Sequence, residues 1–190
     1  MSMKEIGLGK ALAMTCRAGR MTPGERKELA QKRLKELAAY AGQNSPYYGR
    51  LYKGLPEDWK LTDLPTVNKV DLMAHFDMWL TDRTVTEEAV NSFMEDRENI
   101  GRLMDGKYLI FTTSGSTGSP LVVLYDKTCM NISSALSVLR AYARKEDLSA
   151  FIKKGKRTAS IFAEGFYLGS GSVKYQLRRM PWKKGMMMNL

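Results

Sequence analysis

A loop rich in glycine and hydroxyl side chains is the segment of this sequence best suited to chemistry. It reads Thr113-Ser114-Gly115-Ser116-Thr117-Gly118-Ser119-Pro120. Glycine lets the backbone approach a ligand closely, and successive backbone N–H groups with Ser and Thr hydroxyls can hold phosphate oxygens. Thr113, Ser114, Gly115, Ser116, Thr117 and Gly118 are therefore the candidate phosphate-binding residues. A plain hairpin connection uses the same residue types, and composition alone favours that alternative.

Two common nucleotide-binding motifs are excluded. A Walker loop requires Gly-Lys before Ser or Thr and a helix directly after the loop. Here Gly118 is followed by Ser119, and an apolar strand pattern follows the loop. The Gly169-Ser170-Gly171 segment lacks the third glycine and the strand context of a dinucleotide-binding fingerprint and is discounted.

Histidine and cysteine are too sparse for several kinds of site. His75 is the only histidine, and Cys16 and Cys129 lie far apart with no metal-ligand spacing. A His/Cys zinc site and a Ser-His-Asp triad built on another histidine are excluded, and no metal site is predicted. The cysteines are interpreted as buried or free thiols in a reducing compartment. We expect a cytoplasmic protein, since the sequence shows neither a signal-peptide pattern nor a run of apolar residues long enough to span a bilayer.

The chain is strongly basic, with 30 Lys and Arg against 20 Asp and Glu and a formal charge of +10. Most of this charge is interpreted as solvated helix surface. Attraction to phosphate-rich ligands such as ATP or coenzyme A is the sharper alternative. A nucleic-acid-binding domain is disfavoured, because no basic stripe interleaved with aromatic residues is visible.

The first hundred residues carry repeated helix-start signals. Thr22, Ser45, Asn68 and Thr86 are candidate N-caps, and proline follows the first two. The first and longest of these helices has an amphipathic pattern and is expected to end at Gly42. Residues 1–100 are therefore predicted to be a helical N-terminal segment.

Residues 101–190 have the character of an α/β body. A turn is predicted at Asp105-Gly106, with strands over 108–112 and 121–125 on either side of the loop. A helix from Asp126 or Thr128 to about Arg144 follows, then a strand over 158–162, a glycine-rich turn entering a helix, and a methionine-rich strand. The fold class is α/β, with 1–100 and 101–190 forming one continuous, incomplete domain.

The loop residues support a family resemblance. The pattern Thr-Ser-Gly-Ser-Thr-Gly-x-Pro at 113–120 resembles the phosphate-binding signature of the adenylate-forming, acyl-CoA synthetase-like superfamily. Ser45-Pro46-Tyr47-Tyr48, then Leu51-Tyr52, Asp63-Leu64-Pro65, Lys69 and Asp71-Leu72, are similar to its phenylacetate–CoA ligase and capsule-biosynthesis branch. The likeness runs from about residue 28 to about residue 179. Leu121 stands where many superfamily members carry lysine, which this branch commonly lacks.

The resemblance implies the first part of a large adenylation-type α/β domain with a mixed sheet. It implies an AMP-forming acid–thiol ligase in which a small-molecule carboxylic acid attacks the α-phosphate of ATP, assisted by Mg²⁺. Residues 113–118 would hold the β- and γ-phosphates, and coenzyme A is the implied acceptor. The segment containing Gly165, Phe166 and Tyr167 would border the acyl pocket, although a simple core role for the two aromatics is slightly favoured.

The family's remaining catalytic segments lie further downstream than Leu190. The chain is therefore expected to be an inactive N-terminal fragment of the ligase, with the acid left open. A catalytically inactive interaction or regulatory module that keeps half of the fold is the alternative. Because the sequence ends inside a predicted strand, self-association through an exposed sheet edge is expected. No membrane partner is expected.

Overall fold

The computed structural model describes residues 5–113, 120–141, 144–155, 158–162, 167, 170–179 and 185–189. These residues contain nine α-helices and four strands. In chain order they are α1 (Leu8–Arg20), α2 (Pro23–Asn44), α3 (Pro46–Leu51), α4 (Lys69–Ala74), α5 (Phe76–Trp79), α6 (Glu87–Glu95), β1 (Leu109–Thr112), β2 (Val122–Tyr125), α7 (Lys127–Ala141), α8 (Lys145–Lys153), β3 (Thr158–Phe162), α9 (Ser170–Arg179) and β4 (Gly185–Asn189). The predicted α/β class is confirmed. Within this described part of the chain, no helix has the length and apolar character needed to cross a membrane.

The predicted start of α2 is confirmed, with reciprocal hydrogen bonds at its first turn. The Glu25 N–H donates to Thr22 Oγ1 at 3.3 Å, and the Thr22 N–H donates to Glu25 Oε2 at 2.8 Å. This capping box satisfies two backbone donors that the helix itself leaves unpaired. The first residue of α2 is Pro23, whose fixed φ suits that position.

The predicted end of α2 at Gly42 is wrong, because the helix continues to Asn44. Gly42 instead lies where α2 and α3 approach each other. A Cβ placed on Gly49 of α3 would lie only 2.8 Å from the Gly42 carbonyl oxygen. Glycine is used here for close helix contact, a property that depends on a neighbour in space.

The other predicted caps are confirmed by single hydrogen bonds. Asn68 Oδ1 accepts from the Asp71 N–H at 2.9 Å. Thr86 Oγ1 accepts from the Ala89 N–H at 3.2 Å. Helices α4 and α6 therefore begin where the sequence indicates.

The Ser-Pro-Tyr-Tyr segment holds α3 against α4 and α5. Ser45 is 2% exposed; its Oγ accepts from the Tyr48 N–H at 3.2 Å and donates to the Met78 carbonyl at 3.0 Å. The Tyr47 hydroxyl donates to Asp71 Oδ2. Ser45 is thus an N-cap that also hydrogen-bonds to a neighbouring helix. The segment therefore stabilises the packing of these helices.

The turn before β1 adopts the predicted hairpin geometry. Asp105 and Gly106 have φ values of 50° and 67°, in the left-handed region that Asp-Gly pairs favour. Met104 and Tyr108 form an antiparallel bridge across them, with backbone N···O distances of 2.8 and 3.1 Å. The turn delivers the chain directly into β1.

Strands β1 and β2 form an antiparallel pair, and β3 and β4 form a separate parallel pair. Buried Leu109 of β1 clusters with Met130 of α7 and Tyr175 of α9. These contacts make the hairpin part of a packed core beneath the two helices.

Helix α1 was not predicted from the sequence, and neither was α8. The segment leading into α1 is bound to the start of α7, since the Ile6 N–H donates to Thr128 Oγ1 at 3.0 Å and Asn131 Nδ2 donates to the Ile6 carbonyl at 2.9 Å. Ala11 of α1 is 1% exposed. The cap of α7 is Asp126, one of two predicted candidates, whose Oδ1 accepts from the Cys129 N–H at 2.7 Å.

Two compact units are distinguished by their internal contacts. The first contains 5–20, 93–113 and the described residues from 122 onward; the second contains 21–92 with 120–121. Strand pairs and α7–α9 belong to the first unit, and α2–α5 belong to the second. The boundary proposed from the sequence near residue 100 stays a prediction.

Candidate phosphate-binding site

The β1–β2 hairpin positions both ends of the glycine- and hydroxyl-rich loop. Leu109 and Ile110 are each 1% exposed, which anchors β1 in the core. Thr112 and Val122 are directly paired in the antiparallel register. Residues 113–121 therefore leave and re-enter the sheet at neighbouring positions on adjacent strands.

Thr113, the first of the candidate phosphate-binding residues, is exposed immediately after β1. The other five, Ser114, Gly115, Ser116, Thr117 and Gly118, lie outside the described residues. Pro120 is also exposed, just before β2. Both described ends of the loop are thus accessible to solvent, and the phosphate-binding role of 113–118 stays a prediction.

One hydrogen bond brings the two predicted site segments together. The Thr112 N–H donates to the Tyr167 carbonyl at 2.6 Å. Thr112 is the last residue of β1, and Tyr167 belongs to the segment predicted to border the acyl pocket. The other two candidates of that segment, Gly165 and Phe166, lie outside the described residues.

Tyr167 is 7% exposed, and its side chain contacts other residues of the same chain. Its hydroxyl lies 3.1 Å from the Phe93 carbonyl oxygen and 2.9 Å from that of Asp96, which share its single hydrogen. Its ring centroid is 6.5 Å from that of Phe93. Burial, then the nearby Asp96 carboxylate, raises the pKa of Tyr167, so the hydroxyl stays protonated and donates. These contacts give Tyr167 a structural role, and its membership of an acyl pocket stays a prediction.

A small cleft of about 240 Å³ lies over one face of the hairpin, between α7 and α9. Phe111 and Tyr125 form its aromatic edge, with ring centroids 4.9 Å apart in an edge-to-face arrangement. Ser133 and Ser137 of α7 and Gln176 of α9 add polar groups. The sequence contains one signal for it, the four-residue spacing of the two serines on one helix face. The cleft itself was not predicted, because the helices that pack over the hairpin are determined by tertiary contacts.

Metal ligands are not grouped in the described part of the chain. No three His, Cys, Asp or Glu side chains there are placed to hold one ion together. The cysteines Cys16 and Cys129 are both exposed thiols.

Comparison with known proteins gives a distant match. No protein-family model matches the chain. The chain is similar to phenylacetate-coenzyme A ligase of Thermus thermophilus, with 27% identity over 165 residues. The match covers 83% of this chain and 33% of that protein, so the chain spans about a third of the length of this curated relative.

Proposed function

We propose that this chain supplies the phosphate-binding loop of an ATP-dependent, carboxylic acid-activating ligase of the adenylate-forming kind. The observation that carries the proposal is the hydrogen bond from the Thr112 N–H to the Tyr167 carbonyl. It supports the proposal because it links the strand that leads into the predicted phosphate loop to the segment predicted to border the acid pocket.

Adjacency of these two segments is what the chemistry demands. In acid activation, a carboxylate oxygen attacks the α-phosphorus of ATP and pyrophosphate leaves. Holding both reactants in contact removes much of the entropic part of the barrier. The loop that binds the leaving pyrophosphate and the site that holds the acid must therefore both lie close to the same α-phosphorus, and the close approach of the two segments supports such an arrangement.

The loop's part in the reaction is to bind and orient. Ser114, Ser116 and Thr117 would donate hydroxyl hydrogens to the β- and γ-phosphate oxygens, and Gly115 and Gly118 would allow close backbone approach. Oriented donors are most useful where charge develops during the reaction. Mg²⁺, bound through ATP, would neutralise further phosphate charge.

The similarity to a phenylacetate-coenzyme A ligase supports a thiol acceptor of the coenzyme A kind. The proposed substrate is a small-molecule carboxylic acid, and Gly165 and Phe166, which are predicted with Tyr167 to border its pocket, lie outside the described part of the chain. We propose that residues 113–118 form the phosphate end of the site and that catalysis requires further parts of the enzyme.

ATP–pyrophosphate exchange, measured with the complete gene product across a panel of aromatic and aliphatic acids, tests this proposal. We expect acid-dependent exchange that Gly115→Val abolishes. Gly19→Val is the matched control, because a Cβ added at Gly19 meets nothing within 4 Å. Absence of acid-dependent exchange with every acid would reject the ligase function and favour an inactive interaction module.

A further inference from the structure

A broad groove follows the first half of α2. It lies between residues 27–35 of that helix and the segment 58–61, and its volume is about 810 Å³. We call it the α2 groove. All of its lining residues belong to the second compact unit, and none of them belongs to the phosphate loop or its hairpin.

The groove exists because α2 buries only part of its apolar stripe. Ala38 is 8% exposed, close to the place where α3 packs. Within the groove lining, Leu34 is only half-buried and Ala30 is exposed, and Leu61 across the groove is 66% exposed. An amphipathic helix is stabilised mainly by packing its apolar face. The first half of α2 packs only part of that face within the unit.

The floor of the α2 groove contains a tryptophan held in place. Lys35 Nζ lies 5.1 Å from the Trp59 ring centroid and donates to the Glu57 carbonyl at 3.3 Å. This cation–π contact fixes the ring against α2. Ala30, Leu34 and Leu61 complete the apolar lining. Tryptophan is one of the residue types enriched at the energetic centre of protein interfaces.

Charged side chains accompany the apolar residues in the groove lining. Four lysines line it, Lys27, Lys32, Lys35 and Lys60, against two acids, Glu28 and Asp58, which leaves a local balance of +2. This positive balance favours a partner with acidic side chains beside its apolar ones.

From these features we infer that the α2 groove is a docking site for an amphipathic helix of a partner protein, with leucine-like residues on one face and acidic residues beside them. Residues 27–35 extend about 12 Å along the helix axis, enough for roughly two turns of a second helix. A helix would fill the concave floor with side chains at positions i, i+3, i+4 and i+7. A planar anionic lipid surface would contact the lysines and leave the floor uncovered.

The test uses a synthetic, helix-forming peptide with leucines spaced three and four residues apart and glutamates flanking them. A second peptide has lysine at each glutamate position. Binding to this chain is measured by fluorescence anisotropy of the labelled peptides. We expect the acidic peptide to bind and the basic one to bind at least about tenfold more weakly.

Variants locate the contact. Leu61→Glu places a charge on the floor at a residue that is already mostly exposed, so we expect folding to be retained and affinity to fall at least about tenfold. Lys32→Glu with Lys60→Glu should weaken the acidic peptide and improve the basic one. Lys153→Glu with Lys154→Glu, exposed residues at the end of α8, makes the same charge change elsewhere and should leave affinity unchanged.

Three results would overturn the inference. One is no measurable binding of the acidic peptide. Another is equal loss of affinity in the α8 double variant and in the Lys32/Lys60 double variant, which would show attraction by net charge alone. The third is binding to vesicles of anionic phospholipid that Leu61→Glu weakens as strongly as it weakens peptide binding, which would assign the groove to a membrane surface.

Discussion

At the scale of single residues, a structural role and a substrate-binding role of Tyr167 predict different measurable effects. As a structural residue, it donates its hydroxyl hydrogen to backbone carbonyls near the end of α6. As a pocket residue, it would contact the acid substrate. The structural role affects the free energy of unfolding, and the pocket role affects the KM for the acid.

We predict that Tyr167→Phe lowers the free energy of unfolding by about 1 kcal/mol, because a buried hydroxyl hydrogen bond is lost. Urea denaturation of the chain measures this change. Tyr125→Phe is the control, since the Tyr125 hydroxyl makes no hydrogen bond to the described residues, and it should unfold like the parent. Unchanged stability together with a raised KM for the acid would instead support the pocket role.

Tyr47 provides a pH-dependent prediction. Its hydrogen bond to the Asp71 carboxylate, with a smaller contribution from burial, raises its pKa from 10.0 to about 12. The raised value means that folding favours the protonated phenol. The resulting stabilisation is fully present below pH 10 and is lost as the pH rises from 10 towards 12.

We expect the stability difference between the parent and Tyr47→Phe to shrink over this alkaline range. Tyrosinate absorbance of the parent minus that of Tyr47→Phe follows the phenol directly. Asp71→Asn removes the charge and should return the Tyr47 titration towards the ordinary range. A Tyr47 titration unaffected by Asp71→Asn would show that the carboxylate is not the cause.

At the scale of elements, the approach to β1 depends on a tight contact with α9. Gly101 has a φ of 78°, and a Cβ there would lie 2.6 Å from Lys174 Cβ and 2.8 Å from the Tyr175 backbone nitrogen. Tyr175 belongs to the cluster that anchors β1. Gly101 therefore sets how closely α9 packs against the hairpin that carries the loop.

We predict that Gly101→Ala destabilises the protein by about 2–4 kcal/mol, from the left-handed backbone and the steric overlap together. Gly106→Ala is the matched control, because Gly106 has a φ of 67° but open space around its Cβ position. It should cost only about 1 kcal/mol. Equal losses in the two variants, measured by thermal denaturation, would show that the α9 contact is unimportant.

Local sequence signals predicted some helix boundaries correctly and others wrongly. Helix starts at Pro23, Lys69 and Glu87 were predicted correctly, because each cap uses a hydrogen bond between residues three positions apart. The end of α2 was not, because Gly42 is used for contact with Gly49 and not as a stop. Helix α1 was missed for the same reason, since its anchoring bonds join residues more than 120 positions apart.

At the candidate site too, local elements were predictable and long-range contacts were not. The strands flanking the loop were predictable from apolar β-branched residues on both sides of a glycine-rich run, and observed β1 and β2 begin within one residue of the predicted positions. The contact of Thr112 with Tyr167 was not predictable from a local pattern, because it joins β1 to a segment 55 positions later along the chain. The α2 groove was not predictable from a local pattern either, because it depends on which part of the α2 surface the other elements leave exposed.

At the scale of the whole molecule, the charge of +10 complicates any test of phosphate binding. A basic protein attracts polyanions through its general field, and this attraction weakens with added salt. A specific loop differs in that its affinity depends on backbone shape at particular glycines. Replacing a glycine by valine changes that shape and leaves the charge unchanged, which separates the two contributions.

Calorimetric titration of this chain with pyrophosphate, at physiological ionic strength, measures whether residues 113–118 bind phosphate. We predict that the parent and Gly19→Val bind pyrophosphate equally, while Gly115→Val binds at least about tenfold more weakly, a loss of about 1.4 kcal/mol. Equal affinity in all three proteins would contradict the claim that residues 113–118 form a phosphate-binding loop.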